Sequence, residues 1–275
     1  MTRDTSYVMT RWRFIEALGA VAAAVASLVP GTLPARASEL ACADGACSID
    51  KVASAAAAAK RLERALDKTG VEVAIIARVG SDLSRHGISW THAGIAWRDD
   101  PAGRWQVVHV LNDCGPASCL YRQGLMNFFL DEPLHYNALV LVPSPAVRAG
   151  LAVRLATGAA CDLHQPRYSM LAYPFATSYQ NSNQFVLENL ALAQIGAMDG
   201  DRETAIDHLQ QTRFQPHVVR FSGLERIGGS FKANVRFDDH PRADGHNNRY
   251  SVVTVHAVER WLAANGALDA RVEVV

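Results

Sequence analysis

Two apolar, β-rich runs, residues 90–98 and 105–111, are separated only by Asp99-Asp100-Pro101-Ala102-Gly103. A connection that short, with Pro and Gly inside it, must return the chain beside itself, so the pair predicts an antiparallel hairpin. Residues 71–79 form a further β-branched run that reads as a buried strand, and 138–142, closed by Pro143 and Pro145, as a fourth. Helical patterning fills much of the remainder: 51–68 ending at Gly70, 120–130, 145–157 with Gly158 beyond it, 181–197, 203–212 and 256–264. Segments 218–221, 231–237 and 250–255 are weaker strand candidates. The expectation is an α+β fold, an antiparallel sheet with packed helices, without internal repeats or a linker.

The 275 residues carry 27 Lys+Arg against 27 Asp+Glu, and 49% are hydrophobic. That supplies a core and leaves no basic block of the kind nucleic-acid binding needs, so no nucleic-acid partner is expected. Arg3, Arg11 and Arg13 precede an apolar run, 14–29, which Pro30, Gly31 and Pro34 break before Ala35-Arg36-Ala37. This is the order of a secretory signal peptide, so residues 1–37 are read as one. No later segment is long enough to span a bilayer, and no membrane span is expected after cleavage. Residues 38–70 then form an N-terminal lead and helix, and 71–275 a single α+β domain, periplasmic or secreted.

Export also sets the reading of the five cysteines. Cys42 and Cys47, and Cys114 and Cys119 across a Gly-Pro turn, are spaced for local disulfides in an oxidising compartment, and the second pairing is predicted. Cys161 is left over and reads as a small buried residue. Neither the cysteine spacing nor Asp238, Asp239, His240 and His246 makes a convincing metal set, and no strand feeds a Gly-rich phosphate loop. No cofactor or metal is expected.

Two segments carry candidate chemistry. Trp90-Thr91-His92-Ala93-Gly94-Ile95-Ala96-Trp97 starts a strand with a histidine beside small residues, and His109 lies on the next strand. Downstream, Tyr168 leads a segment that reaches Asn181-Ser182-Asn183-Gln184-Phe185-Val186, where Ser182 falls in the first turn of an apolar helix. Unpaired N–H groups there favour an anion, as a nucleophile needs. Ser182 is therefore either a nucleophile with His92 as its base, or a helix N-cap.

An "H-x-G-I" strand followed by a helix that opens near "N-C-x-x-F-V" resembles the circularly permuted, NlpC-type branch of papain-like hydrolases. That resemblance implies a permuted papain-like core. It places His92 at the family histidine, His109 at the orienting position and Ser182 where the superfamily carries Cys. The strings "ARVGSDLSRHGISWTHAGIAWRDDPAGRW", "YNALVLVPSP" and "LHQPRYSMLAYPFATSYQNSNQFVLE" are similar to a bacterial family known as domain of unknown function 2145. Together these imply an exported hydrolase or acyl-transferase acting on an amide or ester of the cell envelope. Ser182, His92 and His109 would be catalytic, and Tyr168, Asn181, Asn183 and Gln184 would bind the peptide or acyl substrate. The opposing reading is a catalytically inactive module of the same fold that binds a peptide or envelope partner. Serine in place of cysteine favours it, because a hydroxyl does not ionise beside an imidazole as a thiol does.

Overall fold

The computed structural model describes residues 48–112, 115–130, 133–222, 225, 229 and 232–275. The expected signal peptide, Cys42, Cys47 and Cys114 lie outside these residues, and so does the predicted Cys114–Cys119 bridge. No disulfide is seen among the described residues. Among them, no helix is long and apolar enough to cross a membrane.

Helix α1 (Ile49–Thr69) starts where the Ser48 side chain accepts from the Lys51 amide, and stops at Gly70 in the left-handed region, φ 72°. The chain continues as β1 (Val73–Val79), β2 (His92–Trp97), β3 (Gln106–Asn112) and β4 (Ser118–Gly124), then α2 (Leu125–Leu130), β5 (His135–Pro143) and α3 (Pro145–Thr157). After a long connection come α4 (Ser182–Gln194), α5 (Arg202–Gln211), β6 (His217–Arg220), β7 (Arg249–Val252), α6 (Val255–Ala264) and β8 (Leu268–Val274).

Six strands form one antiparallel sheet in the order β4-β3-β2-β1-β5-β8, and β6 pairs with β7 apart from it. The expected hairpin is β2–β3, with Ile95 opposite Val108. Its turn is held by Asp100, which is buried, accepts from the Ala102 amide at 2.7 Å and pairs with Arg122 of β4.

Strand alternation divides the core between the two faces of the sheet. On one face Ala74, Ile76, Ala96, Val107 and Val140 pack under α1 and α2, against Leu62, Leu66, Phe128 and Phe129. On the other, Ile75, Ile95, Val108 and Leu139 meet α3, α4, α5 and α6 through Leu151, Phe185, Leu209 and Trp261. Leu171, Val219, Val235 and Val252 make a smaller cluster beside the β6–β7 pair.

Three expectations need correction. Residues 120–130 are not one helix: β4 runs to Gly124 and only 125–130 are helical. The alternation that seats Leu120 on one face and Gln123 on the other was masked by the apolar run behind it. Residues 232–237 are not a strand, although Val235 is buried. Strand β8 was not anticipated, because its mixed Leu-Asp-Ala-Arg-Val-Glu-Val pattern suits a half-exposed edge.

Candidate functional site

His92 opens β2 and His109 sits mid-strand in β3, and the structure brings their rings together. His92 Nε2 and His109 Nδ1 are 2.8 Å apart, and His109 Nε2 lies 2.8 Å from Gln123 Nε2 on β4. Arg78 of β1 is the register partner of His92. Phe128 of α2 closes the array, with ring centroids 5.6 Å from His92 and 5.4 Å from His109, and with Arg78 Cζ 5.3 Å from its own centroid. Gly94 makes room for it. A Cβ there would stand 2.6 Å from Val107 Cγ1 and 3.1 Å from His109 Cβ, so a side chain would displace the buried imidazole.

Both imidazoles are held neutral. Burial, and then the nearby Arg78 charge, lower His109 to about 3. His92 is pushed well below its ordinary value by burial first, then by Arg78 and His109. Among the described residues, the two rings meet each other, Gln123 and Phe128. With the Gln123 amide nitrogen donating to His109, the proton order runs outward and His92 presents Nδ1–H. An amide turned the other way would reverse the chain and leave His92 Nδ1 as an acceptor, so Gln123 orientation selects between a donor and a base.

Ser182 is the first residue of α4, as a nucleophile at a helix start requires. It is not the N-cap: Asn181 holds that position, accepting from the Gln184 amide at 2.9 Å. The helix lies on the opposite face of the sheet from the histidines. Positions 92, 94 and 96 of β2 point toward α2, whereas Ala93 and Ile95 point toward α4. Among the described residues no hydrogen bond joins Ser182 to His92 or His109.

The four expected substrate-binding residues ring the start of α4, and most of their amides serve the chain itself. Asn181 Nδ2 donates to Met170 O at 3.5 Å, Asn183 Nδ2 to Thr91 O and Val253 O at 3.4 Å each, and Gln184 Nε2 to Tyr173 O at 3.3 Å. Asn183 Oδ1 and Gln184 Oε1 remain buried without a hydrogen-bond partner among the described residues. Tyr168 is half-buried, with its phenol pushed up to about 12 by burial, so it stays protonated.

Sequence reasoning missed two polar contacts nearby. Ser118 Oγ lies 3.0 Å from His164 Nε2, a serine–histidine contact that the structure does form. Ser118 is buried and its hydroxyl also faces Gln165 O at 3.3 Å, so the contact fastens the 164–168 segment to β4 rather than presenting a nucleophile. Glu188 of α4 receives two donors from Arg202, at 2.9 and 2.8 Å, and one from Gln180 at 2.6 Å. Arg202 also donates to Thr177 O and Tyr179 O, at 2.7 and 3.0 Å. An isolated Glu and Arg fourteen positions apart carry no motif, and only the fold makes them neighbours.

A profile of the bacterial family described as "Uncharacterized protein conserved in bacteria (DUF2145)" matches residues 65–262. The chain belongs to this family. The matched stretch runs from the last turn of α1 into α6, and so contains both the histidine array and the start of α4. No curated protein and no solved structure matches the chain.

Proposed function

We propose that this is an exported protein of the bacterial envelope in which a papain-like, NlpC-type module binds a peptide or an envelope partner without hydrolysing it. The observation that carries the reading is the separation of His92 and Ser182 onto opposite faces of the sheet. A serine has no thiolate to offer and depends on a base within hydrogen-bond reach. The basic start and apolar run of residues 1–37 support export. The test has two arms: turnover of p-nitrophenyl esters and anilides, and calorimetric binding of peptidoglycan stem peptides. Binding without turnover, unaffected by Ser182→Ala, is the expected result. Turnover that is lost in both Ser182→Ala and His92→Ala while the fold persists would overturn it.

One observation favours a second reading, a hydrolase or acyl-transferase acting on an envelope amide or ester. The 2.8 Å contact between His92 and His109 is what an oriented base would show, and Ser182 stands in a first helical turn. That chemistry needs His92 to leave Phe128 and reach the α4 face. Its signature is turnover that rises in Ser182→Cys, since a thiol restores an ionisable nucleophile.

A further inference from the structure

The outer edge of the sheet beyond β5 is β8, which pairs with no further strand among the described residues. Between β8 and α1 runs an open groove of about 830 Å³. Its floor is apolar: Val272 and Val274 pack on the α1 side of the sheet, opposite Val140 and Ala138 of β5. Its wall is cationic. Arg61, Arg64 and Lys68 stand three and four residues apart on α1, hence on one face, and all three line the groove. None of the three pairs with a carboxylate among the described residues; Arg61 donates through Nη2 to Tyr136 O at 3.2 Å, while its Nε is buried without a hydrogen-bond partner. Lys68 also suits the negative end of the helix dipole, but Arg61, two turns earlier, does not draw on that effect. Two acids also line the groove, but both are already paired, Asp269 with Arg148 at 2.9 Å and Glu273 with Arg271 at 2.6 Å.

The geometry points to a docking site for an extended acidic segment of a partner protein, added as a seventh strand along β8. Backbone groups of the edge strand would hold it, its alternate apolar side chains would lie beside Val272 and Val274, and its carboxylates would meet Arg61, Arg64 and Lys68. A second copy of this chain fits less well. Pairing β8 with β8 would set both α1 helices on the same face of the joined sheet and turn their cationic walls toward each other. The site is separate from the start of α4 and stands or falls independently of the function proposed there.

Fluorescence anisotropy of the full chain with a labelled peptide of alternating Glu and Val, as long as β8, tests the assignment. Expected are binding that weakens with added salt, an affinity loss of about tenfold or more on joint Arg64→Glu and Lys68→Glu substitution at these exposed positions, and failure of the backbone N-methylated peptide. Equal binding of a Lys/Val peptide, indifference to the double substitution or to N-methylation, or no binding at all would overturn it. So would a concentration-dependent dimer in sedimentation velocity that the Glu/Val peptide disperses, since that outcome assigns the edge to a second copy.

Discussion

The two sides of the central sheet bury polar groups in opposite ways. Under α2, His92, His109 and Gln123 form a chain of neutral hydrogen bonds, in which burial first and the nearby Arg78 charge second keep the imidazoles from protonating. On the α4 side, Glu188 and Arg202 are buried as a forked ion pair that also gathers the carbonyls of Thr177 and Tyr179. Burial raises the Glu188 carboxyl while Arg202 pulls it back. A neutral array tolerates burial because each lone pair or N–H can find a neutral complement. A charged pair tolerates it only while both partners remain. The α4 side is thus the more brittle, and what depends on it is the 176–180 segment that leads into α4.

Removing one partner of the ion pair should therefore have the largest effect. Arg202→Ala leaves Glu188 buried without its counter-charge, and urea unfolding at neutral pH should show a loss of about 3–5 kcal/mol. Equal stability of the variant would erase the contrast between the two faces. The histidine array should reveal itself through pH instead. Because folding lowers His109 from 6.5 to about 3, the unfolded chain takes up a proton that the folded chain refuses between those values. Stability from this group is intact above 6.5 and falls as pH drops toward 3, by about 2 kcal/mol between pH 7 and pH 5. In unfolding curves, His109→Gln should reduce the slope measured at the two pH values by that amount and leave the share that His92 contributes, and an unchanged slope would place the titrating group elsewhere. The smallest effects belong to the start of α4. Asn181→Ala should cost about 1 kcal/mol by removing the cap, and Ser182→Ala less than about 0.5. A larger cost for Ser182 than for Asn181 would give the serine a structural role that its contacts do not suggest.

Local patterns in the sequence were sufficient wherever one element explains itself. The β2–β3 hairpin follows from its turn chemistry, and α3 stops where Gly158 can adopt φ 85°. The opening of α4 was visible from Asn181-Ser182, although which of the two caps it was not. Gln123 escaped because its strand runs into Leu125–Leu130 without a break, and two periods overlap in one apolar stretch. His92 and His109 could be named as candidates, and their adjacency followed from hairpin pairing.

Most of the elements, though not β8 or the break at Gly124, were legible in the sequence, and so were the polar residues placed on them. The sequence by itself did not determine which face each residue serves. A strand residue's side is a matter of parity counted along the whole sheet, and a helix's side depends on where a long connection delivers it. The tertiary structure decided that α4 arrives on the face opposite His92. It also brought Glu188 to Arg202 and set β8 at the end of the sheet, with no strand beyond it among the described residues. Those outcomes rest on contacts between residues distant in the chain, whose chemistry is fixed locally but whose meeting is not.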